Sequence, residues 1–116
     1  GGNPVSCAAG SAALTVLQNS GWIEAIKVKE NYLITHLHHP AILHRNHAGL
    51  WMSLQFESAE LTKKIAAACI ENGIITDWFL FAEDRIRIAP PLCITMEELK
   101  LAVEKIIASI QHTIKK

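Results

Sequence analysis

The chain's three arginines, Arg45, Arg85 and Arg87, are outnumbered by eight lysines, and two of them fall in one short segment. In Arg85-Ile86-Arg87-Ile88, strand alternation puts both guanidinium groups on one face and both isoleucines on the other. A guanidinium fork meets a planar carboxylate or phosphate through two parallel N–H···O bonds, which an ammonium cannot do. The pair is therefore a candidate anion site. Pro90-Pro91 stiffens the chain just beyond Arg87 and limits how far that end of the strand can swing. The competing expectation is an edge strand whose arginines simply find surface partners.

Histidine and cysteine give weaker signals. Five of the six histidines lie between residues 36 and 47: His36, His38, His39, His44 and His47. His36 and His39 stand at i, i+3 on one helix face, a spacing that could begin a metal site. No nearby Cys or carboxylate completes the set, however, and no C-x-x-C or H-E-x-x-H spacing exists. Polar or cationic side chains suit a helix C-terminus, so solvated histidines and no metal are expected. Cys7 lies near a helix N-terminus, where a thiolate is stabilised, but a small buried hydrophobe is the expected role. No Ser or Cys triad is visible, and no phosphate loop. Gly1-Gly2 before a helix start could offer backbone N–H groups to an anion; a frayed terminus fits the composition equally well. Three cysteines without a paired spacing make a disulfide framework unexpected and point to a reducing, cytoplasmic setting.

The elements that must carry these residues follow from capping and periodicity. Asn3-Pro4 starts a helix, which runs to Gln18 on small and apolar residues; with no charge on any face, it is expected to be buried all round. Asn19-Ser20-Gly21 breaks it. A second helix from Trp22 to about His38 turns Trp22, Ile26, Leu33 and Leu37 inward and Lys27, Lys29 and Glu30 outward, and Pro40 ends it. Leu50 to Phe56 alternates as a strand. Ser58 caps a third helix with Leu61, Ile65, Ala68 and Cys69 inward, stopped at Asn72-Gly73. Ile74-Ile75-Thr76 reads as a short strand and Arg85–Ile88 as another. Between them, Asp77 to Asp84 reads as a loop holding Trp78, Phe79, Leu80 and Phe81. Thr95-x-x-Glu98 is a capping box for a last helix with Leu99, Val103, Ile106, Ile110 and Ile114 inward. The order is that of one α+β domain over residues 1–116: two layers, with a short, mostly antiparallel sheet packed by helices.

Eleven basic and eleven acidic residues leave no net charge, which removes the electrostatic case for nucleic acid or an anionic membrane surface. No apolar run approaches the roughly 18 residues of a membrane span. Hydrophobic residues are 50% and charged residues 19% of the chain. The charged share is low against about 25% in ordinary domains, so part of the surface is expected to meet protein. The first residue is Gly, which suggests a piece of something longer.

Two segments together resemble a known family. Gly1-Gly2-Asn3-Pro4-Val5-Ser6-Cys7-Ala8-Ala9 is similar to the G-G-N-P-x-[SA]-x-A-A segment of class III aminotransferases, the ornithine and acetylornithine aminotransferase-like group. Arg87-Ile88-Ala89-Pro90-Pro91-Leu92, followed by Ile94-Thr95 and Glu97-Glu98, resembles that group's R-x-A-P-P-L segment and its following helix. Gly49-Leu50 and Asn72-Gly73-Ile74 fall between them where the family has G-L and a glycine turn. One departure stands out: Asn46-His47 occupies the place of the family's usual Arg-Gly.

The resemblance implies the C-terminal small domain of a fold-type I, pyridoxal-phosphate-dependent enzyme that acts as a homodimer in the cytoplasm. Such an enzyme moves an amino group between an amino donor and a 2-oxo acid. It implies Arg87 as the residue holding the substrate carboxylate. Gly1, Gly2 and Asn3 would lie beside the cofactor pocket, and Trp78 and Phe79 would line the substrate entrance. Residues 1–20 become a helix at the interdomain and dimer interface, and the large cofactor-binding domain of the same chain becomes the main partner. The Schiff-base lysine would lie outside this chain, so no catalytic residue is expected here, no cofactor should bind this piece alone, and the piece alone should be inactive. Aminomutases and a decarboxylase share these segments. A non-catalytic α+β module binding a small anion or a protein is the alternative outside the family.

Overall fold

The computed structural model describes residues 1–115. In chain order the elements are α1 (Pro4–Asn19), α2 (Trp22–His36), β1 (His44–Ala48), β2 (Trp51–Gln55), α3 (Ala59–Glu71), β3 (Asp77–Phe79), β4 (Ala82–Ile88) and α4 (Met96–Ile114). The four strands form one sheet in the order β1-β2-β4-β3, antiparallel throughout. Helices cover one face of it and leave the other open, the two-layer α+β arrangement expected.

Local chemistry accounts for the helix ends. The Asn3 side chain accepts from the Val5 and Ser6 N–H groups at 3.0 and 3.1 Å. The Ser58 hydroxyl accepts from Leu61 N–H at 3.2 Å. Thr95 and Glu98 form the reciprocal capping box at 2.8 and 3.1 Å. At the end of α3, Gly73 takes a φ of +82°, and the N–H groups of Gly73 and Ile74 return to the Ile70 and Cys69 carbonyls.

The core lies between the sheet's inner face and the helices. Met52, Leu54, Phe56, Ile86 and Ile88 meet Leu33 and Leu37 of the α2 region, Ile65 and Cys69 of α3, and Leu99, Val103, Ile106 and Ile110 of α4. Burial pushes the Cys69 thiol pKa up. Ile114 stays partly exposed at the helix end.

Several expectations need correction. Helix α1 is exposed along its length, and Cys7 with it, because among the described residues little covers it beyond the start of α2. Helix α2 stops at His36, two residues early. Lys29 and Glu30 are buried rather than solvated. Lys29 donates to the Leu92 carbonyl at 3.0 Å, on the segment after the prolines, and Glu30 meets the β1–β2 hairpin. Ile74 to Thr76 is not a strand: Ile75 is fully open, and the Thr76 hydroxyl donates to the Arg87 carbonyl at 2.6 Å. The expected loop from Asp77 to Asp84 is instead a hairpin, β3 turning through Leu80-Phe81 into a longer β4.

Candidate functional site

The strand register sorts side chains onto the two sheet faces. Asn46, Ser53, Arg87 and Asp77 stand opposite one another across all four strands. His44, Gln55 and Arg85 form the next row, and Ala48 faces Trp51. Since Ile86 and Ile88 point into the core, these rows belong to the open face, and Arg85 and Arg87 share it as alternation predicts.

The two arginines differ in what they have left to offer. Arg85 Nη2 donates to Gln55 Oε1 at 3.1 Å, and its Nε lies 3.9 Å from Asp84 Oδ1; its side chain is 25% exposed. Arg87 Nη2 donates to Asp77 Oδ2 at 3.1 Å, and its side chain is 49% exposed. That single contact is the one side-chain bond of Arg87 among the described residues, so much of its fork remains free. Arg87 edges a groove of about 320 Å³ that Trp51, Ala48, Asn46, Ser53 and Phe79 also line. A cation with open donors beside a mostly apolar hollow can hold a small carboxylate.

The other predicted residues are not brought together there. Phe79 lines the groove, but Trp78 faces the helix layer, opposite Ile86, with its ring 5.4 Å from Lys63 Nζ. Gly1, Gly2 and Asn3 form the start of α1 and take no part in the groove; open space surrounds both glycines. His36 stacks on Tyr32 at 4.0 Å and donates from Nδ1 to its carbonyl. His39 accepts from Ala41 N–H at 3.1 Å. Among the described residues, no three His, Cys, Asp or Glu side chains converge as a ligand set.

Sequence reasoning missed two features. Glu30 Oε1 accepts from His47 Nδ1 at 2.9 Å and from Gly49 N–H at 3.1 Å, while Lys27 reaches Oε2 at 3.3 Å. The His47 bond, then Lys27, holds the Glu30 carboxyl below its ordinary pKa of 4.5. Only His47 of this pair belongs to the Asn46-His47 segment; Glu30 comes from α2. The second feature is Trp51, 70% exposed on the open face. Its signal was present, because Trp51 is out of phase with Leu50, Met52 and Leu54.

The family model for class III aminotransferases matches residues 1–110. The chain belongs to that family. It is 33% identical over 107 residues to an acetylornithine aminotransferase of Archaeoglobus fulgidus, covering 90% of this chain and 26% of that protein. It is 36% identical over 109 residues to an ornithine aminotransferase of Halalkalibacterium halodurans, covering 91% and 26%. The chain thus spans about a quarter of the length of these curated relatives. Among solved structures, a transaminase from an ancestral-reconstruction study superposes with a TM-score of 0.88 at 24% identity, over 98% of this chain and 28% of the other. An (S)-enantioselective omega-transaminase from Thermomicrobium roseum gives 0.85 at 24%, over 97% and 28%. These two establish the fold alone. Family membership disfavours an unrelated ligand-binding module.

Class III aminotransferases depend on pyridoxal phosphate. The groove beside Arg87 does not offer what that cofactor's aldehyde needs. It has no lysine in its lining, and Lys29, the buried lysine among the described residues, is committed to the Leu92 carbonyl.

Proposed function

We propose that this chain is the C-terminal small domain of an aminotransferase that moves an amino group between an amino donor and a 2-oxo acid. Pyridoxal phosphate would be held by a large domain and supply the electron sink. Arg87 would receive the substrate carboxylate and orient it. The observation that carries this reading is Arg87 itself: half-exposed, singly paired and at the rim of an open groove. Gly1, Gly2 and Asn3 would lie beside the cofactor pocket of a neighbouring subunit. Helix α1 would pack between domains and near a dimer interface, in a cytoplasmic homodimer. Phe79 has the better claim to the substrate entrance, with Trp78 behind it.

The test is kcat/KM of the full-length protein with an α-amino acid donor and with a simple amine lacking the carboxylate. Losing a charge-assisted bidentate pair in a closed pocket costs roughly 2–4 kcal/mol, or about 30- to 1,000-fold. Arg87→Lys keeps the charge but loses the fork, so it should forfeit a large part of that on the amino acid alone. Arg85→Lys should be milder, since Arg85 is already held by Gln55. Equal loss on both donors from Arg87→Lys would make Arg87 structural and end the assignment.

A further inference from the structure

Trp51 has no established role and an unfavourable place. Its strand neighbours Met52 and Leu54 are buried, yet its own side chain is 70% exposed on the open sheet face. Its cross-strand partner is Ala48, too small to cover an indole. Two residues on, Ser53 stands directly opposite Arg87. Ala48 and Ser53, both small, line one hollow together with Trp51 and, from β3, Phe79. The hollow of about 320 Å³ lies at the lower end of the range for small-molecule sites. Arg87 lines it as well.

The charge decides the ligand's sign and the aromatics its body. Arg87 repels a cation, so the two rings do not make a cage for an amine. A carboxylate can bond the donors that Asp77 leaves unused. A short acid would leave the aromatic rings that line the hollow wet, whereas an aryl group would bury apolar surface against them.

We propose that Trp51 and Phe79 select carboxylate ligands carrying an aromatic or bulky apolar group, with Arg87 anchoring the carboxylate. This deepens the substrate reading of Arg87 and rests on it. Trp51 is the specificity-determining residue, since it is the more exposed ring.

The probes are 3-phenylpropionate and propionate, titrated into the 116-residue chain while the Trp51 indole N–H resonance, assigned through Trp51→Phe, is followed by NMR. The phenyl acid should bind at least about tenfold tighter, the scale of one or two aromatic contacts. Trp51→Ala, at an exposed site that leaves the core intact, should bring the two acids close to parity. Arg87→Gln should weaken both together. Equal binding of the two acids in the unmutated chain, or a preference that survives Trp51→Ala, overturns the aromatic selection while leaving the carboxylate reading standing. Binding of both acids unchanged by Arg87→Gln overturns the carboxylate reading as well. Neither readout depends on amino transfer.

Discussion

Glu30 is the residue whose surroundings most constrain what a substitution can do. Its carboxylate gathers the His47 ring, the Gly49 N–H and Lys27, so α2 is tied to the β1–β2 hairpin through one side chain. Gly49 holds a φ of +60°, and a Cβ there would meet Ile26 Cγ2 at 3.2 Å, which leaves that turn little freedom. Because the folded-state pKa of Glu30 is depressed, its contribution to stability is present above the unfolded value of about 4.5 and is lost as pH falls through the lower, folded value. Glu30→Gln should therefore lower Tm at neutral pH, and the gap to the unmutated chain should narrow as pH drops below 4.5. Thermal unfolding followed by circular dichroism across that range checks it; a constant gap would mean that the charge is not what stabilises the hairpin. Arg87 and Arg85 were legible in the sequence because two-residue alternation fixes a face. Glu30 and His47 were not, because their contact bridges 17 residues and needs an edge strand that periodicity does not reveal.

At the scale of elements, helix ends were the most readable features and short strands the least. Asn3, Ser58 and Thr95 cap as their types demand, and Asn72-Gly73 stops α3. Strand β1 carries His44, Arg45, Asn46 and His47, polar on both faces, since its inward Arg45 bonds the Ile34 and Leu37 carbonyls instead of packing. Strand β3 has only three residues and an irregular register at Trp78/Phe79, too short for a period to show. The α3 stop also fixes α3 against α4: the Asn72 amide donates to the Ser109 hydroxyl at 2.7 Å, and Lys105 reaches the Asn72 carbonyl at 2.9 Å. Gly73→Ala would place a Cβ at ordinary contact distance, 3.6 Å from Lys105 Nζ, so crowding costs little. The left-handed backbone costs about 1–2 kcal/mol for an L-residue. Urea unfolding should show a loss of that size with an unchanged m-value; a neutral substitution would mean that the turn relaxes freely.

For the whole molecule the informative feature is what α1 does not touch. A chain of this length folded compactly has a radius of gyration of about 13 Å. This one has 16.4 Å and a long axis of 52 Å, with a helix free of buried residues at its N-terminal end. Uncharged composition marked α1 as a segment that meets protein, but one chain could not say which protein. Val5, Ala9, Ala12 and Val16 recur within about 30° of one line along the helix, so the helix carries a continuous apolar stripe. Val5 and Val16 are 78% and 50% exposed, and burying such surface stabilises by about 25 cal/mol per Å². The 116-residue chain should therefore self-associate at moderate concentration in sedimentation equilibrium. Val5→Glu with Val16→Glu interrupts the stripe at both ends without entering the core, which leaves the Asn3 cap and the α2–α4 packing in place. That variant should sediment as a monomer with its helical circular dichroism nearly unchanged. A dilute unmutated chain that is monomeric and binds no hydrophobic dye would show that α1 tolerates water, and would remove the case for it as an interface helix.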